Sequence, residues 1–177
     1  MREHIILATS IKIIKVASWL PFNLYIFSHN YLVEWIIVYT FAAMNIKELL
    51  NETDHFAARA GCKIVEVDDH HAVAEMTVTS EHLNGGHVCQ GGALFTLADL
   101  AIAALMNQHG ELTFGISNNI MFVSSAKEGD QLRAEAIFVA DHHKIPAVEV
   151  RVTNQDNALI CHVTGMGYRK SKPLPKE

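Results

Sequence analysis

Asp99 stands inside an apolar run, Leu94-Phe95-Thr96-Leu97-Ala98-Asp99-Leu100-Ala101-Ile102-Ala103-Ala104-Leu105-Met106. An ionised carboxylate in such company is costly unless it is paired, or it takes up a proton and its pKa rises. It either faces solvent, ties down a loop, or serves as a general base or nucleophile activated by partial desolvation. Eight residues upstream lies Gly91-Gly92. At a helix start the N–H groups lack intrahelical partners, the helix dipole adds partial positive charge, and glycine lets a ligand approach the backbone. The pair reads either as a tight turn into a helix or as an oxyanion hole for acyl transfer. Eight helical residues span about 12 Å at roughly 1.5 Å each. One carbonyl therefore cannot be polarised by Gly91 and attacked with help from Asp99 of the same helix. An antiparallel second copy of the helix would bring its Asp99 to this Gly91, so the chemistry predicts a twofold dimer with composite sites.

The elements that must position these residues follow from periodicity and breakers. A short helical pattern runs from Asn45 through Ala57-Ala58 and stops at Gly61. Alternation predicts strands over Cys62–Val67 and Ala72–Val78, joined by the turn Asp68-Asp69-His70-His71. Ser80–Gln90 is polar and reads as a loop, and Gly91–Gln108 is a helix apolar nearly all round, which must be buried on most faces. Four strand-like stretches follow: Leu112–Val123, Gln131–Val139, Ala147–Thr153 and Leu159–Tyr168. Strands grouped on both sides of one greasy helix give an α+β class, an antiparallel sheet wrapped around a long central helix.

The string Asn84-Gly85-Gly86-His87-Val88-Cys89-Gln90-Gly91-Gly92, continuing to Phe95-Thr96-Leu97-Ala98-Asp99, resembles the signature of PaaI-like hotdog-fold acyl-CoA thioesterases. That signature is an Asn, then His-Gly-Gly six residues on, then Phe-x-Leu-Ala-Asp or Glu. The likeness continues through Gly129-Asp130-Gln131-Leu132, Val148-Glu149-Val150 and the last strand, about residues 44–170. It implies a hotdog fold, a homodimer or dimer of dimers with shared sites, and hydrolysis of acyl-CoA to free acid and CoA without a metal or redox cofactor. It further implies that Gly91 donates its N–H to the thioester oxygen and that Asp99 activates water or attacks directly. Asn84 would position substrate or water, and Ser117, on the strand after the helix, would support the acid. Gln90 replaces the usual His. It carries no proton and can only orient the thioester or the loop through its amide. Rival readings are a hotdog hydratase or dehydratase, which pairs a His with an acid and is opposed by Gln90, and a non-catalytic acyl-CoA-binding module.

Half of the 177 residues are apolar, which excludes a disordered chain. With 14 basic against 19 acidic residues there is no positive surplus for nucleic acid. Cys62, Cys89 and Cys161 form no C-x-x-C and fit a reducing, cytoplasmic setting. Cys89 has no obvious base nearby. The adjacent pairs His70-His71 and His142-His143 point in different directions and read as turn residues rather than metal ligands. His87 either stands in for the missing His or has no chemical part. Lys144, Arg151, Arg169 and Lys170 are the candidates for the phosphates of CoA. Residues 1–43 read as an apolar extension outside the domain: sequence upstream of a start at Met44, a membrane-associating segment, or a cleaved signal. Residues 171–177 read as a flexible tail. Membrane contact is expected only through residues 1–43.

Overall fold

A computed structural model of the protein describes residues 45–174, so the expectations for residues 1–43 lie outside the described region. Where one helical stretch is expected, two short helices form, α1 (Ile46–Thr53) and α2 (His55–Arg59). Asp54 causes the break. It ends α1, and its carboxylate caps α2 by accepting from Ala57 N at 3.0 Å. Asn51 then fastens α1 to the sheet, donating to Ile64 O at 3.0 Å and accepting from Ile64 N at 2.8 Å.

Six strands follow: β1 (Lys63–Val67), β2 (His71–Thr77), β3 (Glu111–Phe122), β4 (Gln131–Ala140), β5 (Ala147–Thr153) and β6 (Leu159–Pro173). They form one antiparallel sheet in the order β1-β2-β4-β5-β6-β3. β6 continues to Pro173, which pairs with Glu111, so residues 171–173 are strand rather than tail. Between β2 and β3 lies α3 (Gly91–Asn107), which packs against all six strands. The inward residues explain the wrap. Ala72, Ala74, Ala134 and Ala136 are fully buried and small, so β2 and β4 approach the helix closely. Val148, Val150, Val152 and Val163 are buried in the same core as Leu97, Ala101 and Leu105. Burying each large side chain is worth roughly 1.5–3 kcal/mol.

Two details set where β3 lies on the helix. Asn107, at the helix end, donates to Thr113 O at 3.2 Å and accepts from Thr113 N at 2.8 Å, which pins the start of the strand. Next, the β3–β6 register shifts between Gly115 and Ser117. The irregularity leaves Ser117 opposite Met166 and Asn118 opposite Gly165. Paired residues share a face and neighbours alternate. Gly165 faces the helix, because a Cβ there would come within 3.2 Å of Ile102 Cδ1. Asn118 therefore faces α3 and Ser117 faces away.

Candidate active site

Asp99 sits near the middle of α3 on the side covered by β3. Its Oδ1 accepts from Asn118 Nδ2 at 2.8 Å. The side chain keeps solvent contact in the protomer, yet its surroundings desolvate the carboxyl, and this raises its pKa above the ordinary Asp value. The Asn118 hydrogen bond opposes that rise, and the negative charge of Asp54 adds to it. Such a group is more basic than a free carboxylate.

The start of α3 is built by Gln90. Its Oε1 accepts from Gly92 N and, at 3.3 Å, from Ala93 N, so the side chain caps its own helix. A Cβ on Gly92 would sit 2.6 Å from that oxygen, and glycine is what makes the cap fit. Gly91 N–H is left with no acceptor among the described residues. It is thus an open donor at the positive end of a helix. The Phe122 ring covers Gly91 so closely that a Cβ there would come within 2.8 Å of Phe122 Cζ. Asn84 closes the preceding loop: its Oδ1 accepts from Gly86 N at 2.8 Å and Val88 N at 3.4 Å. Its acceptor is spent on the backbone, and its Nδ2 is the part left for a ligand.

Within one protomer the loop and helix start bring together Asn84, Gln90 and Gly91, and place Asp99 two turns further along. Ser117 does not join Asp99. The irregularity in β3 turns its side chain to the outer face, and Asn118 occupies the helix-facing position beside the acid. Asn118 and Phe122 were missed in the sequence because strand parity flips at a bulge that composition does not announce. Gly165 and Gly167 in the last strand are the one signal that could have located them, since small residues there leave room for partners on β3.

The other candidates have local duties. His71 bridges Glu66 and Asp68, at 3.4 and 2.8 Å. His142 Nδ1 accepts from Lys144 N and Ile145 N, shaping a turn. Among the described residues no group of three or more His, Cys, Asp or Glu could hold a metal ion. The three cysteines are free and buried, and burial pushes the thiols of Cys62 and Cys161 up to about 12 and raises that of Cys89. Cys89 is accordingly a poor nucleophile. Of the expected cations, Lys144 and Lys170 gather at the Tyr168 ring, each 5.6 Å from its centroid. Arg169 is buried against Asp141 at 2.5 Å, and Arg151 stands apart on β5 opposite Glu135 and His162.

A sheet curled around one long helix, with a carboxylate in mid-helix and an open amide at its start, is the hotdog architecture. The profile of the Thioesterase superfamily matches residues 85–161. A protein of Archaeoglobus fulgidus named as an esterase is 36% identical over 130 residues, covering 73% of this chain and 84% of its own length. Acyl-coenzyme A thioesterase PaaI of Escherichia coli is 32% identical over 118 residues, 67% of this chain and 84% of that protein. The solved E. coli PaaI protein superposes with a TM-score of 0.69 at 30% identity, covering 72% of this chain and 92% of that one. A Streptococcus mutans protein solved with acetyl-CoA bound gives a TM-score of 0.61 at 25% identity, over 64% of this chain and 91% of that one. The chain belongs to the PaaI-like hotdog-fold thioesterases.

Proposed function

We propose that the protein hydrolyses acyl-CoA thioesters at sites shared across a twofold dimer, with Asp99 of one protomer facing Gly91 of its partner. The observation that carries this reading is the mid-helix carboxylate of Asp99, desolvated, tethered through one oxygen and free at the other. β3 supplies the contact between copies. It is an edge strand, and Phe114, Ile116, Met121 and Phe122 along it are 52–60% exposed. An uncovered apolar edge of this kind invites pairing with another chain.

In the step that follows, water attacks the carbonyl carbon while Asp99 takes its proton. The carbonyl electron pair moves to oxygen, where the partner's Gly91 N–H holds it. Collapse breaks the C–S bond, and the departing thiolate takes the proton back from Asp99. Direct attack by the carboxylate uses the same free oxygen. It breaks the C–S bond, releases CoA as the thiolate and leaves a mixed anhydride. Water opens this to the free acid and Asp99 while its proton goes to the thiolate. In this reading Asn84 Nδ2 and Gln90 Nε2 orient the thioester. Lys144 and Lys170 are the remaining cations for the phosphates of CoA, and the buried free thiols suit the reducing cytoplasm. Among the described residues no helix is long and apolar enough to cross a membrane.

The test is thiol release across a panel of acyl-CoAs, beginning with arylacetyl thioesters because the E. coli relative comes from a phenylacetic acid degradation operon. Free CoA is the expected product. Tight acyl-CoA binding without thiol release would replace this reading with a binding module, and water addition to an enoyl chain would replace it with a hydratase.

A further inference from the structure

The side-chain amide of Asn118 is held in one orientation. Its Nδ2 meets Asp99 Oδ1 at 2.8 Å. Its Oδ1 is buried, without a hydrogen-bond donor among the described residues, and lies so close over Gly165 that a Cβ there would be 2.5 Å away. Buried carbonyl oxygens without partners are uncommon in folded proteins and ask for a cause. Here the cause is the other end of the amide. Turned over, the oxygen would face a carboxylate oxygen, two acceptors with no proton between them unless Asp99 were neutral. The orientation seen requires that Oδ1 of Asp99 carry no proton, and a charged carboxylate accepts that bond more strongly than a neutral acid does.

We infer that Asn118 is the positioning residue of the site: it occupies Oδ1 of Asp99, leaves Oδ2 as the single reacting oxygen, and favours the ionised carboxylate. This assignment rests on the reading of Asp99 given above. The groups acting on Asp99 from the elements packed around α3 are the neutral Asn118 of β3 and the anionic Asp54 between α1 and α2. Desolvation and Asp54 both oppose ionisation, so the Asn118 donor is the counterweight. In the dimer, the positive start of the partner's α3 adds to it.

The experiment compares the pH dependence of kcat/KM in the wild type, Asn118→Leu and Asn118→Ser, together with a carboxyl-carbon NMR titration of Asp99 in each. Removing the donor in Asn118→Leu should move the acidic limb and the Asp99 midpoint upward by about one pH unit, with KM little changed. Asn118→Ser keeps a donor, so its limb should stay near that of the wild type. An Asp99 midpoint that does not move in Asn118→Leu overturns the assignment, whatever happens to the rate. Should the leucine variant fail to fold, Asn118→Ala removes the donor without added bulk. Survival of thiol release in Asp99→Asn would sink the reading of Asp99 alone, and the NMR midpoints would still decide the role of Asn118.

Discussion

In the proposed reaction a single carboxylate carries the chemistry, and it also carries a cost to folding. Because burial raises the folded-state pKa of Asp99, its ionised form destabilises the native chain above that pKa and the penalty disappears in acid. Asp99→Asn should therefore lower thiol release by roughly 10²–10⁴ while raising Tm at neutral pH. The gain in Tm should shrink as pH falls through the Asp99 titration, and thermal melts at several pH values check the sign. At this scale the sequence was informative about type and poor about partners. An Asp amid Leu and Ala, and a Gly-Gly ahead of it, stand out as residues. That Gln90 caps its own helix is a matter of rotamer, and no residue type reports it.

Among the elements, β3 decides the site. Its extent and its apolar content were legible, because alternation and turn residues mark them; that β6 is its neighbour was not. The shift at Gly115–Ser117 was not, and that one irregularity moves the partner of Asp99 from Ser117 to Asn118. Gly165→Ala tests the arrangement from the opposite strand. The added methyl would meet Asn118 Oδ1 at 2.5 Å and press on Ile102 and Val148 at 3.2 and 3.3 Å. It should cost about 1–3 kcal/mol in urea unfolding and displace Asn118, so the acidic limb of the rate should move as it does in Asn118→Leu. The β1–β2 turn offers a second check, unconnected with activity. Burial disfavours protonation of His71, but the side-chain hydrogen bonds of Glu66 and Asp68 outweigh it and hold the pKa above the usual value. The stabilisation is full below the unfolded-state pKa and is lost as pH rises through the folded one. Between about pH 6 and pH 8, the wild type should lose more Tm than His71→Ala does.

For the molecule as a whole, the separation of Gly91 and Asp99 along one helix argues for two copies before any contact surface is considered. In the proposed dimer the exposed edge at β3 would supply the surface that the spacing asks for. Mixing two inactive variants, Asp99→Asn and Gly91→Val, separates a shared site from a self-contained one. In a random mixture each mixed dimer holds one intact site, so about a quarter of wild-type activity should return. No recovery after subunit exchange, verified by sedimentation, would confine each site to one protomer. The α+β class and the antiparallel wrap could be read from the order of the elements. The break at Asp54 was hidden, since a residue that caps one helix and ends another looks like any polar position in an amphipathic run.

The three sealed cysteines have a consequence for bench and cell alike. A catalyst that sheds a mercaptan with every turnover works in a bath of its own reactive product, where an accessible sulfur would be drawn into mixed disulfides. Cys62, Cys89 and Cys161 are buried and protonated, so this part of the chain stays inert to what it makes. A chromogenic sulfhydryl reagent added to the native domain will then colour with the coenzyme it frees and not with these three side chains.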